Sequence, residues 1–503
     1  MIRALRLAAA LLSLLPVAAS AQDASARFAA VRDTIRAVMQ SAGFPSISVA
    51  VAQGTNIVWE ESFGFADRER QIAATTRTMY SLASISKPFT ATALMTLVER
   101  GQVDLDRPAN TYLGAAALRA FEGNAADATV RRVLTHTAGL PLHYQFFYDG
   151  VAKVESNDDA IAHYGILVYP PGETFFYSNL GYGILGHIVS RVSGRGYEAY
   201  LREQVLAPLG LSNSDVSTGK GLGKKAAVRY DNDLKPLLPY AFDHTAASGV
   251  WSSANDLVRF GMFHLGNTLR GQQQILKPET IERMQRSDAP ADVPGQSRGW
   301  GWAIAEDDNG YRRVAHTGSM PGVSTILNLY PSEKLAIVVL ANRNNGAALA
   351  RVSAAIAAVM LPQYAANRDA RRAQPRPPVA ARFTPSAELV GAWRGRLLVE
   401  RDTISLVLDV HPDGDVHVRF GDQLETVLSG ATMTGVWLTG RFQAPLRAPD
   451  AVPIADQQRI FVSLNLRPRG DRLTGWASAI STAVLNYGAV SYRAELQKAT
   501  SAR

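Results

Sequence analysis

Ser84 and Lys87 stand three residues apart in Ser84-Ile85-Ser86-Lys87, at the head of an apolar run that reads as a helix. In a helix, positions i and i+3 share a face, so this spacing sets a hydroxyl beside an amine. Serine is a weak nucleophile at its free pKa. A lysine can take its proton only if burial or a nearby cation keeps the amine partly neutral. Pro88 fits the first turn, where its missing N–H has no carbonyl to meet, residues 90–97 carry an apolar face, and Gly101 is a natural stop. Ser84 then lies at the positive end of a helix, where negative charge is favoured. S-x-x-K recurs at Ser217 and Lys220, but in a glycine-rich stretch without apolar period that reads as a loop.

Two later elements extend the set. Tyr177-Ser178-Asn179 follows Pro171-Gly172 and leads into the apolar residues 180–189, so it marks a loop entering a buried helix. A phenol there can pass protons to a leaving group, and the Asn179 amide can hold a substrate carbonyl. A second Y-x-N, at Tyr230-Asp231-Asn232, sits among charges. His316-Thr317-Gly318 is the only [KRH]-[ST]-G triplet; it ends a strand predicted over residues 311–315 and precedes Ser319. A strand edge offers N–H groups to an oxyanion, and Gly318 lets a substrate come close.

With these three motifs in this order, the chain resembles the penicillin-recognising serine hydrolases over residues 28–361. The branch in question holds class C β-lactamases, D-alanyl-D-alanine carboxypeptidases, D-aminopeptidases and family VIII esterases. Leu134-Thr135-His136-Thr137-Ala138-Gly139-Leu140-Pro141, Pro171-Gly172-Glu173 and the segment from Gly249 to Leu257 look like the family's connecting stretches. The resemblance implies that Ser84 is acylated, that Lys87 and Tyr177 share the acid-base work, and that Asn179 orients the substrate. It also implies an oxyanion hole from the N–H groups of Ser84 and Ser319. The chain departs from the class C pattern twice: His316 stands where lysine is usual, and His143 where a glutamine binds the drug's amide side chain. A histidine is mostly neutral near pH 7, which argues against strong β-lactamase activity. Arg343, after a predicted strand, is a candidate for the missing positive charge.

Arg3 and Arg6 precede an apolar run over residues 7–17, and Ala19-Ser20-Ala21 fits a small-residue cleavage site, so residues 1–21 read as a signal peptide. Export to a bacterial periplasm or medium is expected, with no transmembrane segment in the mature chain, because the run is about half the ~20 residues a span requires. Zero cysteines exclude disulfides, thiolate metal sites, a catalytic cysteine and a lipoprotein anchor. No cofactor and no metal is expected; His411 and His417 lack carboxylates at a ligand spacing. The net charge of +8 is dispersed arginine, and without a basic-aromatic pattern nucleic-acid binding is not expected. The expected partner is a small-molecule or peptide substrate; the oligomeric state stays open.

A chain of 503 residues with 47% hydrophobic composition fits two domains. After the leader, residues 22–364 open with a helix over 24–40 and strands over 46–52 and 57–63. They continue through a helical middle, return to strands over 311–315, 323–330 and 335–341, and close with a helix over 346–360. Strands at both ends predict one antiparallel sheet joining them, an α+β pattern that agrees with the β-lactamase/transpeptidase-like fold the resemblance implies. Residues 365–385, rich in arginine, proline and alanine, read as a linker. Residues 386–500 carry short alternating segments between turn residues, which predict an antiparallel barrel or sandwich, similar to a lipocalin-like appendage.

The function these readings favour is an exported serine hydrolase forming an acyl-enzyme with a D-amino-acid peptide or small ester. A β-lactamase is the alternative within the class. A catalytically silent binding or sensor protein on the same scaffold is the alternative outside it, though such a protein has no chemical reason to keep Ser84, Lys87, Tyr177 and Asn179 together.

Overall fold

The computed structural model describes residues 26–148, 154–217, 221–267, 269–291, 293–374, 383–399, 402–444, 460–481 and 488–499. The expected leader and Lys220 of the second S-x-x-K lie outside these residues.

Helix α1 (Ala29–Ala42) buries Val31, Ile35 and Val38, one stripe at helical spacing, and stops at Gly43, which takes a left-handed φ of 64°. Strands β1 (Ser46–Gln53) and β2 (Asn56–Asp67) form a hairpin. The helical region contains α2 (Ser86–Glu99), strand β3 (Tyr144–Tyr148), α3 (Asn179–Ser193), strand β4 (Tyr240–Phe242), the single turn α4 (Thr245–Ser248) and α5 (Ala254–His264). The chain then returns to the sheet through β5 (Gln296–Arg298), β6 (Ala303–Asp308), β7 (Tyr311–Met320), β8 (Val323–Tyr330) and β9 (Leu335–Ala341), and closes on α6 (Gly346–Met360).

Seven of these strands, β1, β2 and β5 to β9, join the short edge strands Ile72–Ala73 and Ala289–Pro290 in one nine-stranded antiparallel sheet in which β9 pairs with β1, so the two ends of this half meet in register, Val49 opposite Val339. Residues 46–52 of β1 and all of β8 and β9 are buried, because both faces of the sheet are covered. Helices α1 and α6 pack one face, while α2 and α5 belong to the larger core on the other. Within that core α2 is buried on every side from Ser86 to Leu97, which makes it the central post of the helical region.

The expected linker begins in helical form, since Tyr364–Ala373 is a further helix. Beyond it come β10 (Gly391–Val399), β11 (Asp402–Val410), β12 (Val416–Phe420), β13 (Thr426–Val427), β14 (Ser429–Thr434), β15 (Trp437–Gln443), β16 (Ile460–Arg469), β17 (Arg472–Ser481) and β18 (Gly488–Lys498). Their order, β13-β12-β11-β10-β18-β17-β16-β15-β14, places at its two edges strands that only Leu428 separates in sequence. One short segment therefore passes from one edge to the other, and the sheet is a nearly closed, lipocalin-like barrel.

The two halves are tied together. β3 pairs with β18 at Tyr144↔Ala489 and Gln145↔Gly488, and on its other edge with β4. Trp476 of the barrel, fully buried, meets Tyr169 edge to face at 3.7 Å and lies 5.4 Å from Phe176. Arg467 grips both oxygens of Glu173 at 2.7 and 2.8 Å. The barrel thus holds the segment that leads directly into Tyr177.

Candidate active site

Ser84 sits not inside α2 but in a one-turn 3-10 segment, Ala83–Ile85, that runs into it, with Lys87 in the first helical turn. Ala83, buried, takes φ +48°, a left-handed backbone unusual for a residue with a Cβ. The turn is braced from the sheet. Thr325 Oγ1 donates to Leu82 O at 2.9 Å, and a Cβ added at Gly318 would stand 2.0 Å from that same carbonyl. Gly318 is therefore where β7 presses against the Ser84 turn.

Lys87 Nζ, with no solvent exposure, lies 3.1 Å from Ser84 Oγ, 2.7 Å from Asn179 Oδ1 and 3.1 Å from Ala247 O. Burial first, and then the charge of Arg298, hold this amine well below the usual lysine range. A neutral amine has two N–H donors and one lone pair. With the donors spent on Asn179 and Ala247, the lone pair is left for the Ser84 hydroxyl proton. The two supports have separate origins: Asn179 opens α3, its N–H held by Leu142 O at 3.0 Å, and Ala247 belongs to α4.

The Tyr177 ring lies 4.8 Å from Lys87 Nζ and 4.5 Å from the His136 ring. Ser178 caps α3 by accepting the Gly181 N–H at 2.9 Å, and its hydroxyl donates to Pro141 O at 2.5 Å. His136, at φ +61°, pins the turn twice: Nδ1 accepts the Ser178 N–H at 3.1 Å and its carbonyl accepts the Phe176 N–H at 2.8 Å. Burial, Lys87, Arg298 and His316 together keep its ring neutral. The other Y-x-N copy does structural work, its buried Tyr230 hydroxyl donating to Glu69 at 2.6 Å.

Strand β7 runs on to Met320, so His316-Thr317-Gly318 and Ser319 lie within the strand rather than at its end as the sequence predicted. Its ladder with β6 stops at Ala303↔Ala315, so residues 316–320 pair on one edge only, with β8. That leaves an edge of backbone groups beside the Ser84 turn. His316 is 7% exposed, donates from Nδ1 to Thr317 O at 2.8 Å, and is pushed down to about 3 by burial and by Lys87 and Arg298. Thr317 and Ser319 are exposed, Ser319 Oγ lying 3.2 Å from Asn344 Nδ2.

Ser84, Lys87, Tyr177, Asn179 and the His316–Ser319 strand therefore converge, whereas Arg343 and His143 do not join them. Arg343 donates to Ala42 O and, at 2.8 Å, to Asn232 O, fastening α1 to the loop around Asn232. His143 is buried, stacked on Tyr164 at 3.8 Å, with Asp243 3.1 Å from its Nε2. The cation that reaches the site is Arg298 on β5, whose charge is felt by Lys87, His136 and His316 and whose guanidinium stands 5.0 Å over Phe175. The sequence carries no local signal for Arg298, since its strand enters the site from the far end of the sheet. His136 lay within a recognised segment, but its left-handed backbone did not show there.

Comparison with known proteins agrees with this arrangement. A sequence profile described as Beta-lactamase matches residues 31–360. Penicillin-binding protein 4* of Bacillus subtilis is 25% identical over 323 residues, covering 59% of this chain and 68% of that protein. Protein flp of Staphylococcus aureus (strain MRSA252) is 24% identical, and the chain spans 61% of its length. The octameric penicillin-binding protein homologue from Pyrococcus abyssi superposes with a TM-score of 0.58 at 23% identity, over 92% of this chain and 99% of that one. A class C beta lactamase from Rhodobacter sphaeroides gives 0.56 at 25% identity, over 66% of this chain and 99% of its own.

Proposed function

Because the chain belongs to the beta-lactamase family of serine hydrolases, we propose that it is an exported acyl-transfer hydrolase of D-amino-acid peptides or small esters, with Ser84 as nucleophile. The observation that carries the reading is Lys87: an amine without solvent exposure, held by burial well below the usual lysine range, 3.1 Å from Ser84 Oγ. As Ser84 Oγ bonds to the substrate carbonyl carbon, its proton passes to Lys87 and the carbonyl oxygen becomes an oxyanion. The N–H groups of Ser84 and Ser319 receive that charge across the cleft that Gly318 keeps narrow. Collapse of the adduct expels the amine or alcohol, protonated by way of Tyr177, and water then releases the acyl group by the reverse proton path. Export rests on the leader-like residues 1–21.

Substrate choice turns on charge. A neutral His316 gives a substrate carboxylate a hydrogen bond but no counter-charge, so a carboxylate-bearing substrate, peptide or β-lactam, depends on another cation. Arg298, whose charge reaches Lys87, His136 and His316, can supply it, which favours a peptide with a free carboxylate over a neutral ester. Intact-protein mass spectrometry with a fluorophosphonate tests the core of the reading: one adduct is expected, mapping to Ser84 and absent in Ser84→Ala. An adduct elsewhere, or none with any acylating probe, sinks it. A panel of a D-Ala-D-Ala peptide, a p-nitrophenyl ester and a chromogenic cephalosporin then ranks the substrates.

A further inference from the structure

Behind the catalytic lysine lies a group of side chains that the acyl-transfer reading does not use. The pairing of β3 with β4, Phe146 opposite Phe242, brings the residue before one strand next to the residues after the other: His143, Asp243 and His244. All three are buried, and each offers a ligand atom within 4.8 Å of the other two. Asp243 Oδ2 stands 3.1 Å from His143 Nε2 and 3.4 Å from His244 Nε2. Neither contact is aligned as a hydrogen bond, and both Nε2 atoms lack a hydrogen-bond partner among the described residues. Asp243 Oδ1 is likewise unpartnered, while Oδ2 accepts the Gln145 N–H at 3.0 Å. Among the described residues the only ionic neighbours of this buried carboxylate are the two imidazoles. A carboxylate oxygen and two imidazole nitrogens buried together without a hydrogen bond of their own are costly to bury by themselves.

The two imidazole-to-carboxylate separations match a tetrahedral metal centre, and all three ligand atoms lie within 4.8 Å of one another. Bonds of about 2.0–2.1 Å to a zinc ion put neighbouring ligand atoms roughly 3.3–3.4 Å apart, and the two short contacts are 3.1 and 3.4 Å. We propose that His143, Asp243 and His244 bind a zinc-type divalent cation through Nε2, a carboxylate oxygen and Nε2. Two imidazoles and one carboxylate suit zinc among the hard and borderline cations, with a water completing the shell. The room for it is built in: a Cβ on Gly183 of α3 would stand 2.7 Å from His244 Nδ1, so that glycine admits the imidazole.

The position gives the ion a role. His143 follows Leu142, whose carbonyl holds the Asn179 N–H, and His244 precedes α4, whose Ala247 carbonyl holds Lys87. The metal fastens together the two supports that orient the Lys87 amine, and through β3 it also anchors the barrel's β18. These are positioning ligands, since none of them touches Ser84 Oγ.

The test uses the full chain, stripped with a chelator, then titrated with Zn2+ and separately with Co2+. The expected result is one equivalent bound, a visible Co2+ spectrum of tetrahedral type, and a higher Tm on loading. His143→Gln, Asp243→Asn and His244→Gln should each weaken binding by at least the roughly 10–100-fold that loss of an outer partner costs. In the barrel, well apart from these three residues in sequence, His417 pairs with Glu425 at 3.0 Å beside His411. His417→Gln should therefore leave the stoichiometry and the spectrum unchanged. The proposal is overturned if the wild-type chain retains no more Zn2+ or Co2+ than the Asp243→Asn variant, or if the bound equivalent disappears with His417→Gln.

Discussion

The catalytic half and the barrel are both antiparallel sheets closed over apolar cores, yet they bury different things. The catalytic half buries Lys87, Asp243, Asp256 and six of the nine histidines. Among the described residues of the barrel, the only buried polar side chain is Ser478. Burying ionisable groups costs stability unless each is neutral or paired. The barrel has the core expected of a part that only holds shape, and the catalytic half spends stability on groups whose protonation it controls. The barrel enters catalysis from outside, by clamping Tyr169, Glu173 and Phe176 just ahead of Tyr177.

The sharpest way to break this contrast is at Lys87. Lys87→Met should slow acylation by about 10²–10⁴-fold while leaving the Tm equal or higher, because a buried amine has been replaced by an apolar chain of similar length. Stopped-flow acylation and calorimetry measure both; a loss below tenfold would hand the base role to Tyr177. Next in size is a matched pair of barrel tryptophans. Trp476→Ala and Trp393→Ala should each cost about 3–5 kcal/mol, since both are fully buried. Only Trp476→Ala should also lower kcat in the fraction that remains folded, because only Trp476 packs on the segment before Tyr177. Equal kcat in the two variants would show that the barrel does not support the site.

Acid should divide the halves. The rings of His264 and His316 are pushed down to about 3, chiefly by burial, so both stay neutral in the fold while the unfolded chain protonates near pH 6.5. Proton uptake by the unfolded state then destabilises the fold as pH drops below about 6.5, by roughly 2 kcal/mol per histidine between pH 7 and pH 5. Calorimetry should show the catalytic transition falling across that range and the barrel transition holding; parallel falls would refute the contrast. The smallest effect is at Arg298. Arg298→Met should reduce kcat/KM for carboxylate-bearing substrates about tenfold more than for neutral esters. It should also move the acid limb of the pH profile to higher pH, because removing a positive charge lets Lys87 hold its proton longer. An unmoved limb would mean that Arg298 does not reach Lys87.

The parts of the site that could be read in the sequence were those whose chemistry is local. Ser84 and Lys87 announce themselves by spacing on one turn, and Tyr177 and Asn179 by their place where a loop meets a helix. His316 to Ser319 came through for the same reason, although the strand carrying them runs five residues farther than the pattern implied. What sequence could not give were partnerships made at long range. Arg298 and Arg343 are indistinguishable in sequence, because an arginine at the end of a strand looks the same whether it turns toward the cleft or toward α1. His143 was placed by analogy with a glutamine, while the neighbours that define its surroundings, Asp243 and His244, come from 100 residues farther on. In the barrel the alternation of apolar residues is plain, but the edge-to-face contact of Trp476 with Tyr169 joins segments roughly 300 residues apart and leaves no periodic trace.

The contact between Gly318 and Leu82 has a one-sided consequence for how this enzyme can change. With hydrogen as its side chain, the strand already stands as close to the nucleophile turn as any amino acid permits. Every substitution at that position must push the strand outward, so mutation there can widen the cleft but has no means of narrowing it. A lineage selecting a smaller or flatter acyl group would have to reshape the other walls, and this one would remain the fixed reference against which they move.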